Sequence, residues 1–217
     1  MSSMPKPFPR GLAWTPYITR PCSLARAVVV SVVLMCLWYS PAGPARAQQA
    51  ETETHHNEST IKAVFLYSFG RYTKWPENTF KNASEPFVIG IVGEDSFGGE
   101  LDELASKKTI HERKIVVRRF ATPDEYKQPC HILFVSHSIP VDQQTALIKK
   151  TQGTAMLVVG ETPGFVENGG GANFFTDGDR IRFEINVESA RRSQLRMDAV
   201  LLNLGKPVGS QKTETSN

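Results

Sequence analysis

The chain has 217 residues and almost no cysteine: Cys22, Cys36 and Cys130 are all it holds. Two of the three lie in the first 47 residues, so a chain trimmed there keeps Cys130 alone and can close no internal disulfide. Its stability must then come from a buried core, for which about 170 residues suffice. Acidic residues are missing altogether from residues 1–47, which carry Lys6, Arg10, Arg20, Arg26 and Arg46. Of 25 basic and 22 acidic residues, 20 basic and 22 acidic therefore fall beyond residue 47. The basic excess belongs to the leader, which removes the usual inference from a basic chain to nucleic acid or anionic lipid. There is also no apolar run near the roughly 20 residues that a membrane-spanning helix needs. No internal repeat is visible.

The first 47 residues instead read as an export signal. An apolar stretch over 27–39 follows Arg20 and Arg26, and Ser40-Pro41-Ala42-Gly43-Pro44 breaks it. Ala45-Arg46-Ala47 then forms a small-x-small cleavage site, with cleavage expected after Ala47. Residues 48–59 and 207–217 lack apolar periodicity and read as flexible tails around a domain spanning 60–206.

Within that domain, apolar spacing at 61, 64, 65, 69 and 72 predicts a helix over 60–74, ended by Trp75-Pro76. Short apolar runs predict strands at 87–93, 115–120, 132–135 and 156–159, with helices over 97–106 and 141–150 between them. Thr176-Asp177-Gly178-Asp179 predicts a hairpin joining strands at 172–175 and 180–185. Helical stretches over 187–193 and 198–204 follow, the second capped by Asp198. The fold class is α/β: one compact domain with a mostly parallel, short-stranded sheet flanked by helices, then a C-terminal hairpin and helix. The strand at 180–186 reads as a sheet edge able to support a homodimer.

Catalytic and metal signatures are scarce. Gly93-Glu94-Asp95-Ser96-Phe97-Gly98-Gly99 joins a strand to a helix, but it lacks phosphate-loop spacing and its two carboxylates would repel an anion. Ser136-His137-Ser138 lacks a nucleophile elbow and reads as a solvated loop. Cys130 and His131 are adjacent on a strand and point to opposite faces, so Cys130 reads as core. The remaining histidines show no ligand spacing, and His55-His56 falls in the first tail. No metal and no cofactor is expected. The strongest binding signal lies between Phe165 and Glu184. There Phe165, Phe174 and Phe175 can anchor a partner, beside the glycine run 169–171, while Arg182 and Glu184 set its orientation. Alternation lets only one of Phe174 and Phe175 face the core.

The ordered blocks of this domain resemble the YfiR-like family of bacterial periplasmic proteins. They are Lys62-Ala63-Val64-Phe65-Leu66-Tyr67-Ser68-Phe69 with Trp75-Pro76, Ile89-Gly90-Ile91-Val92-Gly93-Glu94-Asp95, and Cys130-His131-Ile132-Leu133-Phe134-Val135-Ser136. Leu157-Val158-Val159-Gly160-Glu161 with Pro163-Gly164-Phe165 follows, then Gly169-Gly170 with Asn173-Phe174, Ile181-Arg182-Phe183-Glu184-Ile185-Asn186, and Leu195 with Leu201-Leu202 and Leu204. The resemblance implies a non-catalytic α/β protein that represses a membrane-bound GGDEF diguanylate cyclase through its periplasmic sensory region, lowering cyclic-di-GMP output and biofilm formation. It also implies release by an OmpA-like outer-membrane lipoprotein. A periplasmic small-ligand sensor is the alternative. Three departures from the family stand out: Ala172 for a larger aliphatic, Gln194 for a glycine, and Asp198 for a serine. If the turn at Gln194 needs φ > 0, the exchange costs about 1 kcal/mol. Bridges found in some relatives cannot form here.

Overall fold

The computed structural model describes residues 45–127 and 129–209, with side chains from Glu58 onward. The expected leader lies outside the described residues except for its last three, and so does most of the C-terminal stretch expected as a tail.

A long helix, α1 (Ala45–Arg71), comes first. It starts well before residue 60, where apolar periodicity begins; nine of the fifteen added residues over 45–59 are Ala, Gln, Glu or Arg, all good helix formers. Its buried face is also rotated from the expected one. Lys62, Ala63, Leu66 and Phe69 are buried, whereas Val64 is 46% exposed. The apolar residues of this helix spread over more than one face, so periodicity alone admits two registers. A paired lysine, described below, settles which one is inward.

The strands are β1 (Thr73–Lys74), β2 (Phe87–Val92), β3 (Thr109–Ile110), β4 (Arg113–Phe120), β5 (Ile132–Val135), β6 (Leu157–Gly160), β7 (Ala172–Asp177), β8 (Arg180–Asn186), β9 (Arg196–Met197) and β10 (Lys206–Val208). Eight form one sheet in the order β10-β8-β7-β6-β5-β2-β4-β3, and β1 pairs with β9 separately. The central strands β4, β2, β5, β6 and β7 are parallel, while β7 and β8 form the expected antiparallel hairpin. β2, β5 and β6 are buried along their whole length, which explains their unbroken apolar runs.

Between the strands lie α2 (Glu100–Lys107) and α3 (Val141–Thr151), and α4 (Val187–Arg192) and α5 (Ala199–Leu204) close the domain. α2 begins three residues later than the spacing suggests. Asp95 accepts a bond from Phe97 N–H at 2.8 Å, and this local turn holds the backbone out of the helix. Asp198 caps α5 as expected, accepting from Val200 N–H at 2.9 Å.

The sheet carries a core on each face. Phe69, Phe87, Ile89, Phe134, Phe174 and Phe183 pack on the side covered by α1. Val88, Leu133, Val135, Leu147, Ile148 and Phe165 pack on the side covered by α3. The edge expected at 180–186 is partly closed, because β10 pairs with Glu184, Ile185 and Asn186 in parallel. Part of that covering strand, Pro207 and Val208, comes from residues that read as tail, since three residues are too few for a periodic signal. No described helix is long and apolar enough to cross a membrane.

Candidate functional site

The C-terminal ends of β5 and β6 open into a cleft of about 590 Å³. Ligands of open α/β sheets commonly sit at this end of the strands. Its wall holds a buried carboxylate: the Glu161 side chain, directly after β6, is only 5% exposed. Lys62, from the inward face of α1, reaches it at 2.8 Å and also holds Glu58 at 2.6 Å, one turn earlier on the same helix. The other oxygen of Glu161 accepts from His137 N–H at 3.1 Å and from His137 Nδ1 at 2.6 Å. Because a carboxylate only accepts, Nδ1 carries the proton.

A chain of hydroxyls extends the network. Glu94 N–H donates to Ser138 Oγ at 2.9 Å, Ser138 donates to Ser136 Oγ at 3.2 Å, and Ser136 donates to Glu161 at 3.4 Å. Ser136-His137-Ser138 is solvated at two of its three residues, as expected, but it is anchored: Ser136 is fully buried, and Gln144 fixes the next turn through Ile139 O at 2.7 Å. Only His137 and Ser138 reach solvent.

Electrostatics keep this centre charged. Burial alone would lower the Lys62 pKa, but its bonds to Glu161 and Glu58 outweigh that and raise it. Burial alone would raise that of Glu161; the bonds from Lys62 and His137 outweigh it and hold the carboxyl below its usual value. Glu161 is thus ionised and fully engaged. Ser136 donates to it, and the group clamps α1 to the loops after β5 and β6.

The rest of the cleft is built by β7 and β8. Phe175, Ile181 and Glu184 line it, with Lys206 at the rim. Asn173 is 2% exposed, and its amide N–H donates to Glu184 at 3.3 Å. That bond fixes which amide atom is oxygen, and this oxygen has no hydrogen-bond partner among the described residues.

The five residues expected to contact a partner separate into two groups. Phe165 is 1% exposed; glycines make room for it, since a Cβ on Gly160 or Gly170 would lie 2.4 or 2.3 Å from its ring. Phe174 is buried against Phe65 and Phe69. As placed, both are core. Phe175 is half-buried at the cleft, Glu184 lies beside it, and Arg182 is exposed and paired with Asp177 at 2.8 Å. Strand alternation thus sends Phe174 inward and Phe175 outward.

Cys130 and His131 stand at the other end of β5. Cys130 packs in the second core, and burial pushes its thiol up to about 11, out of nucleophilic range. His131 packs against the rings of Phe80 and Phe87 at 4.5 and 4.8 Å. Burial pushes its pKa down to about 4, and its Nδ1 accepts from Val88 N–H at 2.8 Å. No group of His, Cys, Asp and Glu among the described residues is placed to hold a metal ion.

Sequence reading missed Lys62, Glu161 and Asn173 as members of one site. The available signals were slight: a lysine inside the apolar part of a helix, and a glutamate directly after a buried strand. A family model described as YfiR/HmsC-like matches residues 59–206, which takes in every residue of the cleft except Glu58. No curated protein matches the chain.

Proposed function

The chain belongs to the YfiR/HmsC-like family, and on that footing we propose that it is a non-catalytic periplasmic protein that represses a membrane-bound GGDEF diguanylate cyclase. In this reading the leader over 1–47 directs export and is removed after Ala47. The domain then binds the cyclase's periplasmic sensory region and lowers cyclic-di-GMP output. An OmpA-like outer-membrane lipoprotein competes for the repressor and releases the cyclase.

The match over nearly the whole domain carries this proposal. The cleft is compatible with it, because its buried charges are consumed in holding strands and helix together, as expected of a rigid docking face. Phe175, Arg182 and Glu184 are the residues we assign to partner contact: one aromatic anchor with a cation and an anion beside it. Repression needs only that the domain bind the inactive state of the sensory region more tightly than the active one. A difference of about 3 kcal/mol changes output roughly a hundredfold.

Binding of the purified domain to the isolated sensory region of a partner cyclase tests the reading, and absence of binding at tens of micromolar would contradict it. A second reading, a small-ligand sensor, is favoured by one observation: the unpartnered Asn173 oxygen beside a cleft of about 590 Å³. A saturable rise in thermal midpoint with a single metabolite, abolished in Asn173→Leu, would support it.

A further inference from the structure

At the opposite strand ends, before β2, β5 and β6, a second cleft of about 360 Å³ opens beside β4. We infer that it is a binding site for a small organic carboxylate. The inference stands apart from the proposed repression, which uses the other end of the sheet.

The cleft presents more donors than it has acceptors for. His131 is 6% exposed and lines it. Since Val88 N–H donates into Nδ1, the ring's one proton sits on Nε2, and no described residue accepts from Nε2. Thr79 also lines the cleft; its hydroxyl oxygen is buried and has no partner among the described residues. Tyr126 donates only to the weak acceptor Met156 Sδ, at 3.5 Å, and burial pushes its phenol up to about 12, keeping the proton available.

Charge has the same sense. Arg118, half-buried on β4, and Lys81 at the rim form no ion pair with a described residue, although both line the cleft. Glu85 is the one acidic side chain in the lining, and it accepts from Lys81 N–H at 2.5 Å. The lining therefore carries two cations against one anion. A carboxylate would supply acceptors to Arg118, the Thr79 hydroxyl and His131 Nε2 together. Pro86, Val88 and Met156 complete the wall and suit an apolar body attached to the anion. An inorganic ion would leave that apolar wall unused.

The test is a titration of the purified chain with sodium benzoate at constant ionic strength, with benzyl alcohol as the neutral counterpart. Calorimetry and nitrogen-edited NMR of the His131 ring supply the readouts. Benzoate should bind saturably and shift the Nε2 resonance, and benzyl alcohol should do neither. Arg118→Met should weaken benzoate at least tenfold. Thr79→Val should weaken it while raising the thermal midpoint of the free protein, because it deletes a buried hydroxyl that lacks a partner. A site with a merely structural Thr79 would not couple higher stability to lower affinity. Equal binding of benzyl alcohol, unchanged affinity in Arg118→Met, or no response to benzoate up to about 10 mM would overturn the inference.

Discussion

The two ends of the parallel sheet bury ionisable groups in opposite ways. Past β5 and β6, Lys62 and Glu161 stay charged in the interior because each holds the other and both have further partners. Ahead of the same strands, His131 gives up its charge and lies neutral against two phenylalanine rings. Desolvation is the same problem at both sites, and a partner of opposite sign within about 3 Å decides the outcome. The first arrangement ties α1 to the loops after β5 and β6. The second extends the pairing of β2 with β5 by one residue, the His131 ring nitrogen accepting from Val88 N–H while the His131 backbone N–H donates to Val88 O.

The contrast breaks most sharply if one member of the charged pair is removed. Lys62→Met should cost about 3–4 kcal/mol, since it leaves Glu161 buried and short of a counter-ion. The double variant Lys62→Met/Glu161→Leu should recover much of that loss, because well-packed apolar pairs replace buried ion pairs at little cost. Urea unfolding of the single and double variants measures both. If the single variant lost less than about 1 kcal/mol, the pair would behave as a surface contact and the comparison would collapse.

Acid should distinguish the ends next. The His131 pKa is lower in the folded than in the unfolded chain, so its stabilising effect is complete above the unfolded value near 6.5 and is lost as pH falls toward 4. Allowing for partial solvent screening, the loss is about 2 kcal/mol. Glu161 is also held low, so its contribution is complete above the ordinary carboxylate value and fades at still lower pH. Lys62 is held high, and its share is lost only on the alkaline side, above about 10.5. Stability measured from pH 7 to 4 should therefore fall first with the protonation of His131, followed by NMR of its ring.

Gln194 supplies a control that should leave both ends untouched. It takes φ 58° in the turn after α4, where Leu195 N–H bonds back to Ala190 O at 2.9 Å. This left-handed cap favours glycine. Gln194→Gly should stabilise the domain by about 1 kcal/mol in the same unfolding assay. Smallest in its effect on folding is Phe175→Ala, expected to change stability by less than about 1 kcal/mol at a half-exposed position while weakening partner binding about tenfold.

Much of the fold was legible because its strands obey simple rules. The unbroken runs in β2, β5 and β6 signal burial on both faces, and Asp177-Gly178 marks the hairpin between β7 and β8. The demand for a positive φ at Gln194 was legible too, through comparison with a glycine in the family pattern. Two- and three-residue strands such as β1, β3, β9 and β10 carry no period of their own and are set by tertiary pairing. The register of α1 was misread because a buried lysine violates the apolar rule that periodicity relies on. The cleft escaped for a related reason. Lys62 and Glu161 are 99 residues apart, and nothing local to either one announces the other.

The central claim, that this protein works by gripping another protein's sensory region, is tested most directly by titrating the purified domain against the isolated periplasmic region of a partner cyclase in a surface-binding assay. The account predicts saturable binding that Phe175→Ala weakens about tenfold with folding intact. No binding at tens of micromolar, or full binding by Phe175→Ala together with Arg182→Ala and Glu184→Ala, would contradict it.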